Sequence, residues 1–351
     1  MYNPMSQGEY LAHITGGFMD NFDAVANKGK IVHRLLKWLR GGKGQRTVIM
    51  IAFMCVPLLL LIVFTYLPFV KMFEFSFFNM KYIGERKFIG LDNYRDVLSD
   101  KEVMNSLKLA LYYLVGSFVQ LAAALYFATM LSFKTKGGSF FKGTIFFPYL
   151  ISGIAMGFMF RFFYTRGFVF DTVLTWMGFE LENLPYWLRD KGINNIALVA
   201  TSVWKFMGQN MVLFIGAIMS VDKELYESAS LDGANRWHQF CYIILPSIKT
   251  IVVLNMILSI TGSLSAFEPP YVITGGTRGT STFFLLMHNM AHRYQKVGKA
   301  AAMALILFGL ILIVTIAQRL IFKYAFSDSN EDISKKTARM MKKKEAKEAQ
   351  Q

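Results

Sequence analysis

"YESASLDGANRWHQFCYIILP", residues 226–246, is a polar island between two apolar stretches of the chain. Just ahead of it, Asp222 can cap a short helix starting at Lys223, with Glu224 in the first turn complementing the helix dipole. Gly233 is placed to end that helix, because glycine accepts the left-handed conformation that closes helices. Asn235 can cap a second short helix, on which Trp237, Phe240, Cys241 and Ile244 recur at i, i+3, i+4 and i+7 and make one apolar face. Pro246 stands where this helix gives way to the next apolar run. The pattern predicts a small amphipathic helical hairpin, which fits a linker lying on lipid as well as a docking element for a partner.

The flanking runs read as membrane spans. Of the 351 residues, 54% are hydrophobic and 17% charged, against roughly 25% charged in soluble domains. No charged residue occurs between Arg46 and Lys71, Lys108 and Lys134, Lys142 and Arg161, Lys249 and Glu268, or Lys299 and Arg319. A sixth run, from Lys191 to Asp222, is interrupted only by Lys205. A bilayer-crossing helix needs about 20 apolar residues, and backbone in lipid must satisfy its own hydrogen bonds. The expectation is an all-α membrane protein of six transmembrane helices. The first run follows a polar segment and exceeds the ~7–15-residue apolar region of a secretory signal, so it is expected to remain as a span.

Lys and Arg set the orientation. They cluster at Lys28–Arg46, in the loop holding Lys134, Lys136 and Lys142, and at Lys335–Lys347. Both termini and the 226–246 loop are therefore expected in the cytoplasm, and no nucleic-acid partner is expected. The organisation reads as a tail over residues 1–46, a membrane domain over 47–325 with its polar loop at 222–246, and a lysine-rich tail over 326–351. Within the first tail, Ile31, Val32, Leu35, Leu36 and Leu39 share one helical stripe opposite Arg34 and Lys37. That pattern fits a basic helix on an anionic membrane surface and equally a loosely ordered tail. Outside the membrane, residues 71–105 and 164–195 are the longer segments; Trp176, Tyr186 and Trp187 in the second read as interface anchors or a docking surface. Glu268, Pro269 and Pro270 are expected to end span five. Cys55 and Cys241 have no metal-ligand spacing and read as free thiols.

The 226–246 loop resembles the EAA loop of the membrane subunits of binding-protein-dependent ABC importers. That family pattern is Glu-Ala-Ala, three residues, Gly, nine residues, Ile, one residue, Leu-Pro. Here Glu227, Ala229, Gly233, Ile243, Leu245 and Pro246 match at unbroken spacing, and Ser228 replaces the first alanine. The extension Asp232-Gly233-Ala234 looks like the carbohydrate, maltose and oligosaccharide branch. "FIGLDNYRDVL" (88–98), "NSL" (105–107) and "FFPYLISG" (146–153) agree, so the resemblance covers roughly residues 50–323. It implies a bacterial cytoplasmic-membrane permease subunit, forming half of a sugar translocation pathway beside a second permease, usually as a heterodimer. It also implies a cytoplasmic ATPase dimer that holds ATP and Mg and an extracellular solute-binding protein that delivers the sugar. The hairpin would be the coupling helix. Glu227 would bring charge to the ATPase interface, and Gly233 the turn. Ser228, Ala229 and Ala234 would allow close packing, and Trp237 and Phe240 would be buried anchors.

No catalytic site is expected on this chain. "HNMAH" (288–292) has the histidine spacing of a zinc-protease helix, but Asn289 replaces the general-base Glu. "TGGTRGTST" from Thr274 lacks the Gly-Lys-Ser/Thr of a phosphate loop. An ion-coupled secondary transporter would carry ionisable residues near mid-membrane, whereas Arg161, Lys205 and Glu268 read as lying near span ends. An importer of a non-sugar solute remains the nearer alternative. For a substrate path, span five offers Asn255, Ser259 and Ser263 at i, i+4 and i+8. Span four offers Ser202, Lys205 and Gln209, with Trp204 nearby. The same small polar residues also serve as glue between helices. No metal site and no cofactor are expected on the chain.

Overall fold

The computed structural model describes residues 42–133 and 135–325. The basic helix expected at residues 31–39 and the lysine-rich tail from residue 326 lie outside the described residues. The chain divides into two compact units, residues 1–71 and 72–351. In the first, helix α1 (Gly42–Leu61) passes through one π-helical turn (Ile62–Tyr66) into α2 (Leu67–Phe75). Cys55 is exposed on the surface of α1.

The second unit opens with a segment that lies between two of the long apolar helices. Strand β1 (Phe78–Asn79) pairs antiparallel with β2 (Lys87–Phe88), placing Phe78 opposite Phe88. Helix α3 (Asp92–Ser99) then leads into α4 (Lys101–Ser132). Asn93, in the "FIGLDNY" stretch, is buried and donates to the carbonyls of Ser76 (2.8 Å) and Phe78 (3.0 Å), tying α3 to the strand. Asp100 caps α4 by accepting from the Glu102 N–H at 3.0 Å and also takes Lys299 Nζ at 3.1 Å. Burial raises the pKa of this carboxyl, but those hydrogen bonds outweigh it and hold the group below its ordinary value.

Five helices among the described residues are long and apolar enough to cross a bilayer: Ile49–Phe75, Lys101–Ser132, Ile193–Met219, Arg236–Leu264 and Val297–Phe322. The sixth expected span is broken. Helices α5 (Gly138–Leu150) and α6 (Gly153–Phe163) meet at 99°, giving up to 6 crossings if the pair counts as one. The break falls in "FFPYLISG". Pro148 has no N–H for the helical ladder, Ile151 is extended, and the Ser152 hydroxyl starts a fresh helix by accepting from the Ala155 N–H at 3.2 Å. Charge spacing sees only that the run is apolar and cannot register this bend.

Helix α7 (Val169–Trp176) and a 3-10 turn (Leu181–Asn183) form the connection that precedes the next long helix. Asp171 organises it. The buried carboxylate accepts from the Gly167 N–H and from Trp187 Nε1, both at 2.7 Å. Arg166 lies 3.9 Å from it, donates to the carbonyls of Leu181 and Leu184, and covers the Tyr186 ring. Trp187 is therefore an internal strut, whereas Trp176 is 82% exposed.

Helix α8 (Ile193–Met219) packs along α4, where Ala124 and Ala128 leave room for Met211, Phe214, Ile215 and Ile218. Small residues at such crossings let backbones approach where lipid gives no hydrophobic drive. Helices α9 (Lys223–Leu231), α10 (Arg236–Gln239) and α11 (Leu245–Leu264) follow. A second core joins α3 and α4 to α12 (Phe283–His292) and α13 (Val297–Ala325) through Val97, Val103, Phe283, Leu286 and Met303. The Pro269–Pro270 pair does not end span five. Helix α11 stops earlier, at Leu264, and the prolines begin a separate π-helical turn (Pro270–Thr274), where a missing N–H costs nothing.

Candidate functional site

Two places gather the polar residues singled out by sequence: the 222–246 hairpin and a cavity among α4, α8 and α11. At the hairpin, Asp222 Oδ1 accepts from the Glu224 N–H at 3.2 Å, and Asn235 Oδ1 accepts from the His238 N–H at 2.9 Å. Between them the chain turns through a paired C-terminal closure of α9. The Ala234 N–H reaches the Ala229 carbonyl at 2.9 Å, and the Gly233 N–H reaches that of Ser230 at 3.1 Å. This is the Schellman arrangement, and it places Gly233 at φ +81°. Gln239 Nε2 donates to Ser230 Oγ at 2.9 Å and clamps the two arms together.

The second arm is not a separate short helix. α10 runs through a π turn (Phe240–Ile244) into α11, making one helix of 29 residues from Arg236 to Leu264. The Leu245 N–H closes on the Phe240 carbonyl, and Pro246, which has no N–H, follows directly. The wider turn passes the proline without a break. Its apolar face also divides. Ile244 is buried and Phe240 packs on the core beside it, while Trp237 stacks on Phe240 at 5.5 Å and remains 68% exposed. Glu227, Ser228, Asp232 and Pro246 are exposed; Ala229, Ala234 and Leu245 are half-buried. Cys241 is half-buried and, like Cys55, a free thiol.

The cavity has a volume of about 930 Å³, at the upper end of the roughly 300–1,000 Å³ of small-molecule clefts. Ser202 and Gln209 of α8 and Ser259 and Ser263 of α11 line it, as the helical spacing predicts. Trp204 and Asn255 do not. Trp204 turns away to meet Phe160 edge-on at 5.1 Å. Asn255 is fully buried one turn before Ser259, with both amide atoms unpartnered. Ser263 donates to backbone carbonyls, including Tyr113 of α4 at 3.1 Å, so it also joins two helices. Sequence reading missed Ser117 and Gln120 on α4 and Asn210 on α8, which complete the polar lining. The i, i+3 spacing of Ser117 and Gln120 in an otherwise apolar span was the available signal. Tyr149, Phe206 and Phe267 add aromatic faces.

Lys205 also differs from expectation. It lies at mid-length of α8, is buried, and pairs with Glu268 at 2.9 Å. Gly153, at the break before α6, faces this carboxylate so closely that any Cβ there would collide with it. The glycine that starts α6 thus makes room for the ion pair.

The remaining look-alikes have structural roles. His288 and His292 pack ring to ring at 4.6 Å, and Tyr82 bonds His292 Nδ1 at 3.1 Å. Burial and the neighbouring His292 lower the His288 pKa. Among the described residues, no three His, Cys, Asp or Glu side chains come together as a metal site. The "TGGTRGTST" loop is held against α8 by Asn194 and Asn195, which donate to the Arg278 and Gly279 carbonyls at 3.0 and 3.2 Å.

Residues 44–324 match the family described as "Binding-protein-dependent transport system inner membrane component". A probable ABC transporter permease of Bacillus subtilis, YurN, is 30% identical over 288 residues, spanning 79% of this chain and 96% of that protein. The multiple sugar-binding transport system permease MsmF of Streptococcus mutans is 28% identical over 271 residues, 76% of this chain and 92% of its own length. In fold, the chain superposes with a TM-score of 0.71 on a bacterial ABC transporter involved in import of the acidic polysaccharide alginate. That match is 18% identical and covers 83% of this chain and 99% of the other.

Proposed function

The chain belongs to the binding-protein-dependent transport system inner membrane components, and on that premise we propose that it forms half of the translocation pathway of an ABC importer for a sugar or oligosaccharide. The observation that carries the reading is the cavity, whose amide, hydroxyl and aromatic lining suits a polyhydroxylated, ring-shaped solute. A second permease would complete the path. A cytoplasmic ATPase pair would hold ATP and Mg, and an extracellular binding protein would present the sugar. The chain itself has no ATPase activity. Purified alone, it should hydrolyse no ATP, and assembled with its three partners it should support hydrolysis stimulated by the loaded binding protein. Robust hydrolysis by the isolated chain, free of contaminating ATPase, would refute this assignment.

The 222–246 hairpin is the coupling element, and it faces the cytoplasm with both termini. The exposed surface of Glu227, Ser228 and Trp237 is available to an ATPase groove, while Phe240 and Ile244 hold the hairpin to the core. ATP-driven closure of the ATPase pair would move this surface. Because α10 and α11 are joined in one helix of 29 residues through the π turn, displacement at Arg236 has a covalent, helical route to the cavity wall at Ser259 and Ser263.

Cys241 reads this topology directly. A membrane-impermeant maleimide should label the chain in inside-out vesicles stripped of ATPase and not in intact cells. Re-adding the ATPase should slow the reaction, and Cys241→Ser should remove the signal. Labelling from outside would overturn the orientation; labelling that the ATPase never slows would favour a linker resting on lipid.

A further inference from the structure

We propose that Glu268 sets the charge selectivity of the cavity, giving it a negative face that admits uncharged sugars and rejects sugar acids. The inference rests on the sugar-permease reading and names the substrate class of that same site. Among the described residues, Lys205 and Glu268 are the two charged side chains in the lining. They are not equivalent. The Lys205 side chain is 8% exposed and that of Glu268 is 47% exposed, and their 2.9 Å contact engages one of the two carboxylate oxygens. The cation is therefore sunk in the wall, with its charge answered by the carboxylate and its ammonium 5.3 Å from the Phe206 ring centroid. The anion stands toward the space where a solute would lie.

The wall is built to hold the carboxylate there. Gly153 offers no side chain to displace it, and Glu268 lies between the end of α11 and the proline turn, on backbone anchored by the buried Pro269 and Pro270. The other polar groups facing the cavity, Gln120, Gln209, Asn210, Ser117, Ser202 and Ser259, are neutral. A uronate entering this space would meet a carboxylate with, among the described residues of the lining, no second cation to answer it, and like charges in a partly desolvated site repel far more than in water. A neutral sugar meets an acceptor for its hydroxyl protons, and charge-assisted hydrogen bonds of that kind are the stronger ones.

The potential can be measured with two thiol reagents of similar size and opposite charge. These are trimethylammonioethyl methanethiosulfonate and sulfonatoethyl methanethiosulfonate, both of which react when a thiolate attacks sulfur and expels methanesulfinate. The reporter is Gly262→Cys, an exposed lining position where a Cβ meets nothing within 4 Å. It is placed in a Cys55→Ser, Cys241→Ser background, in membranes carrying the full importer, with Ser259→Cys as a second reporter. Rates are divided by those of free cysteine in solution, so intrinsic reactivity cancels.

The cationic reagent should be favoured by about tenfold, and adding Glu268→Gln should reverse the preference toward the anion, because Lys205 is then left unanswered. Adding Lys205→Met instead should raise the preference for the cation, and the double variant should return the ratio to the solution value. A parent ratio at or below the solution value, or one that Glu268→Gln leaves unmoved, would overturn the inference while leaving the sugar-permease reading intact. Loss of that reading would appear separately, as an assembled importer whose hydrolysis no sugar-loaded binding protein stimulates.

Discussion

Gly233→Val should leave the chain inserted at its normal level and cut stimulated ATP hydrolysis and uptake by the assembled importer more than tenfold. The cause is conformational rather than steric, since a Cβ at this position meets nothing within 4 Å. At φ +81°, however, an L-residue costs about 1–2 kcal/mol, and a β-branched one is a genuine outlier there. Helix α9 has no buried residues to absorb that strain. Its closure depends on the two hydrogen bonds from Gly233 and Ala234, so the turn opens before the backbone yields. Gly233→Asn, which tolerates the left-handed region, should retain most of the activity, and Gly233→Ala should fall between. Uptake by Gly233→Val at the wild-type rate would dissociate the turn from coupling.

Gly208→Leu should abolish recovery of folded complex. On α8, Gly208 lies against the backbone of α5, where a Cβ would sit 2.7 Å from the Phe146 Cα, with the Ile145 carbonyl oxygen closer still. Backbone cannot swing aside as a side chain can, so even Gly208→Ala must force the helices apart, at about 1–3 kcal/mol or more for overpacking. Gln209 and Asn210, which line the cavity, would be displaced with it. Gly216→Ala on the same helix is the matched control, because its Cβ meets nothing within 4 Å. Fluorescence-detected size-exclusion profiles and melting of the detergent-purified complex distinguish the two. If Gly208→Ala melts with the wild type while Gly216→Ala does not, the close approach of α5 and α8 is not the constraint described.

The hairpin was legible because its determinants are local. Asp222, Gly233 and Asn235 each act on backbone within a turn or two of themselves, so residue type and spacing suffice to specify caps and a left-handed closure. What spacing could not reveal is that the second arm continues into the span, since a proline ordinarily argues for a boundary and only the π turn before Pro246 passes it. The same limit applies at Pro148 and at Pro269–Pro270. In the first case an apolar run read as a single span is bent by 99°. In the second, a run expected to end at the prolines has already ended at Leu264.

By itself the sequence determined where the apolar runs lie, five of which form long helices and one a bent pair, because leaving charge or open backbone in lipid is costly wherever no partner answers it. It also determined the hairpin and its glycine, and five of the seven residues named for the cavity line it, because helical periodicity puts them on shared faces. Only the tertiary structure decided that Trp204 and Asn255 turn elsewhere, that Gln120 and Asn210 belong to the same lining, and that Lys205 is answered by Glu268. Those facts depend on which helices meet, at what rotation and how closely. Lys205 and Glu268 stand 63 residues apart, with no local signal of their pairing; it arises where α8, the proline turn and the break at Gly153 converge.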